Sequence, residues 1–218
     1  MIDDLKLGIK TLKYAYGTKS TIFGVVCSIL FGVLMCIMNV CFESKFPGGY
    51  FFILVVLFVT QLAASLGVAA LISSSPKKKN FHVGILSAIS VLTTLIMFFS
   101  CVISELILSL IFPQKISFIS SQILCTAVLA AIVLQYVAIS YKFFVIGTII
   151  FLTEFLCFMR YGLITEFGYG NAGYLALATL IGLAIIALAS VVEYIILKLL
   201  YRFPVSKMSK NAFARKTM

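Results

Sequence analysis

A glutamate at position 154, in the stretch IIFLTEFLCFMR, stands about eleven residues inside an apolar run, with Arg160 six residues after it. An ionised side chain at that depth of a bilayer costs a few kcal/mol or more, so its presence requires a reason. One reason is chemical: Glu154 faces an internal path and holds a proton, a cation or a polar group of a substrate. The other is architectural, a hydrogen bond to a neighbouring helix or to an interfacial tyrosine. Glu105, late in its own run, and Glu193, near the end of the last one, read more simply as interfacial or paired residues, with Lys198 placed to neutralise Glu193.

Other reactive side chains do not assemble into a motif. His82 is the single histidine, at a helix entrance beside Lys77, Lys78 and Lys79, and one imidazole without partner ligands reads as a headgroup-facing residue. The six cysteines lie in or at the edge of apolar runs without CxxC or Cys/His clustering, which suits buried or lipid-facing free thiols and gives no metal site. No HExxH pair and no GxSxG elbow is present, so no catalytic residue is assigned. The stretch YGTKS at 16–20 lacks the Gly-Lys pair of a phosphate loop and a glycine five residues before Gly17, so the chain should bind no ATP itself.

The elements that must carry these residues follow from composition. Of 218 residues 62% are hydrophobic and 11% charged, well beyond the apolar share of soluble domains. Apolar runs of spanning length recur at about 21–42, 50–73, 82–112, 117–141, 143–163 and 172–200. Backbone groups in lipid must be satisfied within each segment, and the alternating ten-residue strands of a barrel are missing, so the runs predict helices. The expected fold is all-α: a polytopic membrane protein with six transmembrane helices in a domain over 21–203. An amphipathic interfacial helix precedes it at 1–20, where Leu5, Ile9 and Leu12 alternate with Lys6, Lys10 and Lys13. A basic tail follows Phe203, over 204–218. The first twenty residues show no h-region or cleavage site of a signal peptide.

The net charge of +10 is concentrated at segment ends and not in an aromatic-interleaved patch, which favours anionic lipid over nucleic acid as the basic surface's partner. If the N-terminus is cytoplasmic, 14 of the 17 Lys and Arg residues fall inside and only Lys45, Lys115 and Arg160 outside. That asymmetry predicts an even number of spans with both termini cytoplasmic. Gly24, Ser28 and Gly32 form a small-residue stripe on the first run, as Ala178 and Gly182 do on the sixth; such stripes serve close helix packing, within the chain or between subunits. The connection RYGLITEFGYGNAGY, 160–174, is rich in Gly and Tyr and reads as a short re-entrant element at the outer rim.

With that layout, the chain resembles the membrane subunits of the ABC-2 type transporter family, the permease fold of many bacterial exporters. The local sign is SSSPKKKNF, 73–81, which is similar to the Leu-Pro-x-x-Arg/Lys-Lys element often found after the second span in Gram-positive members, with Ser75 standing where Leu is common. The resemblance implies that the cytoplasmic loop 73–82 is a coupling element in which Pro76, Lys77, Lys78 and Lys79 dock on a separate ATPase subunit. Serines ahead of Pro76 offer N-cap oxygens, and the lysines suit acidic groups on a partner or lipid phosphates. It also implies a dimer of ATPase subunits that binds the ATP, a second six-span permease subunit, identical or related, and location in the bacterial cell membrane.

By the same resemblance the first, second and fifth spans line the path, making Asn39, Gln61 and Glu154 its polar candidates, although Asn39 and Gln61 serve equally well as interhelical hydrogen bonders. So few fixed charges suit an amphipathic or hydrophobic cargo such as a peptide, antibiotic or lipid. The alternative is the substrate-binding S-component of an energy-coupling-factor vitamin importer, also six-spanning, which requires an outward pocket with a specific polar constellation.

Overall fold

The computed structural model describes residues 18–44, 46–68, 79–164, 166–168 and 171–209. The predicted helix at 1–20 lies outside them except for its last three residues, and so do Pro76, Lys77, Lys78 and positions 210–218 of the tail. Among the described residues the fold is helical, without strands. The helices are α1 (Thr18–Phe42), α2 (Tyr50–Val68), α3 (Asn80–Ile111), α4 (Ile116–Ser140, after a 3-10 turn at Pro113–Lys115), α5 (Phe144–Gly162) and α6 (Ala172–Leu200). The first turn of α3, Asn80–Ile85, and the last of α5, Phe158–Gly162, are π-helical.

Five of these, all but α2, are long and apolar enough to cross a membrane, and α2 is a shorter apolar helix within the described residues. The chain is membrane-embedded by its own surface. Phe23, Leu30, Leu110, Leu156, Leu180 and Leu188 are exposed on the outside of the bundle, an apolar face that water would penalise and lipid tails accept. At 1.5 Å per residue α3 is about 48 Å long against a hydrocarbon thickness of about 30 Å, so it tilts or protrudes.

The helix α4 is the axis. Its apolar window is 67% buried, against 22% for α1 and 11% for α5, and it packs on α2, α3, α5 and α6. Its most extensive partner is α6, where Ala127, Ala130 and Ala178 are fully buried and Gly182 receives the Phe98 ring. Small side chains let these backbones approach closely, which supplies packing where no hydrophobic drive separates helix from lipid. The stripe on α1 is used in the same way against α2: Gly32 lies under the Phe52 ring and Gly24 beside Phe58.

Many hydroxyl groups in the helices are satisfied locally. Thr60 donates to the Val56 carbonyl at 2.6 Å, Thr94 to Ser90 at 2.8 Å, Thr126 to Gln122 at 2.8 Å and Ser190 to Ile186 at 2.7 Å. Back-bonding to the preceding turn lets a polar residue sit in an apolar medium without any tertiary partner.

Antiparallel order gives the bundle two ends. Phe42, Tyr50, Ile111, Gly162 and Ala172 share one, here the Lys115 end; Val68, Asn80, Ser140, Phe144 and Leu200 share the other, the Lys142 end. At the Lys115 end, where a short re-entrant element is expected over 160–174, the described residues 163–164 and 166–168 are not helical. They form an irregular strap tied to the first turn of α4: Phe167 N donates to Ser117 O at 3.3 Å and Ser117 Oγ to Gly168 O at 3.2 Å. Gly168 has φ +84°, a left-handed conformation that interrupts a helix and that only glycine adopts without strain.

Candidate functional site

At the Lys115 end, α1 stops where Glu43 takes φ +52°, and the Lys115 Nζ closes the helix by donating to Val40 O at 2.7 Å while pairing with Glu43 at 3.1 Å. A cation at a helix C-terminus meets both the open carbonyls and the dipole. The chain then folds back as a roof, residues 46–49. Asn39 Nδ2 donates to Phe46 O at 2.6 Å and Gly48 N donates to Gln122 Oε1 at 3.0 Å. Glycine is required at the underside: a Cβ on Gly48 would fall 2.9 Å from Asn39 Nδ2 and 3.1 Å from Cys36 Sγ.

Beneath the roof three reactive side chains converge. Cys36 of α1 and Cys101 and Glu105 of α3 are all fully buried, and their two sulfurs and a carboxylate oxygen lie within 4.8 Å of one another. The Cys101 Sγ is also 3.7 Å from Thr126 Oγ1 of α4. Expected to be interfacial or paired, Glu105 is turned into the bundle, and neither of its oxygens has a hydrogen-bond partner among the described residues. Met97, Phe98, Cys101, Val102, Glu105 and Leu108 are the buried stripe of α3, and that helical spacing turns Glu105 into the core.

Glu193 is the second fully buried acid. Its partner is Ser90 of α3, whose hydroxyl donates to Oε1 at 2.5 Å, and not Lys198, which is exposed. Five residues along a helix rotate a side chain by roughly 140° away, so Glu193 and Lys198 cannot share a face.

At the Lys142 end a compact knot joins three helices. His82 is buried and hydrogen-bonded through Nδ1 to the Tyr141 hydroxyl, so the headgroup-facing position expected for it is corrected; the π-helical first turn of α3 brings it against Ala63, Ala64 and Tyr141. Lys142, 4% exposed, donates to Phe203 O at 3.1 Å with its ammonium 5.6 Å from the ring centres of both Tyr141 and Tyr201. Ser209 Oγ donates to the Ser140 and Lys142 carbonyls at 3.3 and 3.1 Å, anchoring the start of the tail.

The three path candidates occupy separate places. Asn39 is fully buried under the roof, and its amide serves Phe46. Gln61 lines a small open crevice near the Lys142 end, with Thr60, Ala64, Tyr136 and Ser140. Glu154 is half-buried on α5, where Oε2 is covered without a hydrogen-bond partner, while Arg160 lies over the Tyr161 ring at 5.1 Å. Of the coupling residues Lys79 is described: it is exposed and already helical, at φ −61° and ψ −44°. Ser28 is buried on α1 between the two glycines of its stripe.

Sequence reasoning did not foresee the meeting of Cys36 with Cys101 and Glu105. The signal within α3 is present, a Cys-x-x-x-Glu spacing that puts both on one face, but the register of α3 against α1 is tertiary. Compared with protein-family models, with curated proteins and with solved structures, the chain finds no match.

Proposed function

We propose that the chain is the membrane permease subunit of an ATP-driven, ABC-2 type exporter. In this reading it has six spans, α2 being the one beyond the five long helices, and both termini are cytoplasmic. It forms half of a path for an amphipathic or hydrophobic cargo, with a second such subunit, and couples to a separate ATPase dimer through the loop 73–82. The ATP stays on the partner.

The observation that carries the reading is the junction of that loop with α3. Lys79 is exposed and helical, and from it a continuous helical rod runs through Ile111, packed against α1, α2, α4 and α6. A partner gripping the lysines would have a lever that reaches from one end of the bundle to the other. The Lys115 end, by contrast, holds three of the 17 basic residues.

The test is charge reversal of Lys77, Lys78 and Lys79 to Glu in a chain co-expressed with a candidate ABC ATPase subunit from the same genome. Association should be lost while membrane insertion, followed by fractionation, is retained. Wild-type recovery of the ATPase with the reversed chain would reduce the lysines to orientation signals. Retention of a small vitamin-like ligand through purification would instead favour the S-component reading.

A further inference from the structure

We infer that Cys36, Cys101 and Glu105 form a binding site for a thiophilic divalent cation of the zinc type, buried beneath the 46–49 roof at the Lys115 end. Three donors of metal-ligating chemistry come from two helices to within 4.8 Å of one another, and all three are fully buried. Donor convergence alone is common. What points to a ligand is Glu105, fully buried with one oxygen beside the two thiols, which are weak donors, and with neither oxygen in a hydrogen bond among the described residues. A buried carboxylate left in that state costs several kcal/mol, and a cation held between it and two sulfurs removes the cost.

The donor set selects the ion. Two thiolates disfavour magnesium and calcium, which take oxygen ligands, and the carboxylate disfavours copper(I), which prefers sulfur throughout. Zinc accepts both donor types, at about 2.3 Å from sulfur and about 2.0–2.2 Å from carboxylate oxygen. In a tetrahedral site two such sulfurs stand about 3.8 Å apart, so the cluster needs only small side-chain adjustment to close on the ion. Three protein ligands leave a fourth position for a water, beside the Thr126 hydroxyl that already contacts Cys101. Cys36 and Glu105 each lie six residues from the end of their helix, about 9 Å down, so the ion would arrive through the roof rather than from lipid. The inference is independent of the exporter reading.

The experiment uses the full chain in detergent, stripped with a chelator, reloaded with Zn²⁺ and passed through gel filtration before elemental analysis. One ion per chain is expected. Cys36→Ser and Cys101→Ser should each weaken binding by at least about tenfold, the scale on which disturbing a metal's supporting residues is felt. Cys125→Ser, at a buried thiol outside the cluster, should leave it unchanged. X-ray absorption on the loaded wild-type chain needs no variant and should find two sulfur neighbours at about 2.3 Å. A wild-type chain that leaves the column without zinc, a loaded ion with only nitrogen and oxygen neighbours, or an equal loss in Cys125→Ser would each overturn the site. The first of these would leave Glu105 as an acid packed among apolar side chains and thiols.

Discussion

Glu105 and Glu193 lie on helices that touch, each with no exposed surface, and the bundle treats them in different ways. Glu193 on α6 receives a hydrogen bond from Ser90 on Oε1, while its Oε2 has no partner among the described residues. Glu105 lies beside two thiols, which are weak donors, and makes no hydrogen bond among the described residues. The contrast teaches that burial alone does not classify an intramembrane acid. The partner does, and where the protein supplies none, the acid is available to something from outside.

The largest expected effect comes from breaking the hydrogen-bonded acid. Ser90→Ala leaves both Glu193 oxygens without a donor among the described residues and should cost about 3 kcal/mol, the upper range for orphaning a buried polar group. Denaturant unfolding in mixed micelles reads it. Unchanged stability would show that Ser90 is dispensable and that the two acids are alike.

Glu105→Leu tests the other side, with a sign that depends on metal. In the stripped chain, replacing an unpartnered acid by an apolar side chain should raise stability by about 2 kcal/mol. With Zn²⁺ present the variant should gain nothing from the ion, whereas the wild-type chain should, because only a ligand-binding native state is stabilised by mass action. Parallel melting curves with and without zinc separate the two.

A smaller loss, about 1–2 kcal/mol, is expected for Gly48→Ala, whose Cβ would fall 3.2 Å from the Cys36 backbone and press the roof off Asn39. That change should also weaken zinc retention, measured by the same elemental analysis. The smallest effect, within about 0.5 kcal/mol, belongs to Gly24→Ala on α1, three turns from Cys36, where the added methyl meets Phe58 at an ordinary 3.6 Å. A large loss there would mean that α1 and α2 pack more tightly than the Gly24 geometry allows.

The helices themselves were legible because their cause is local: apolar runs of spanning length and an interior without water dictate them residue by residue. Boundaries followed closely, α6 at 172–200 and α5 at 144–162. Side-chain destinations were legible only when a face could be read from one helix. Gly24 and Gly32 satisfy that condition and lie against α2. His82 does not, since a π-helical turn rotates it away from where an α-helical register would point it. The pairing of Glu193 with Ser90 spans 103 residues, and nothing in the neighbourhood of either residue announces the other. Lys198 drew attention because it is near in the chain, although helical geometry carries it to another face.

That long separation has a consequence for biogenesis. The back-bonded hydroxyls of α2 to α5 satisfy part of the polar content of those segments from within each helix. Glu193 belongs to α6, the last of the described long helices, and its Ser90 partner lies three helices earlier in the chain. Until α6 docks, its acid lacks the Ser90 hydroxyl; once it docks, Glu193 Oε1 has a donor. The Ser90 contact can therefore form only after α6 has joined α3, and its presence reports that the two helices have docked.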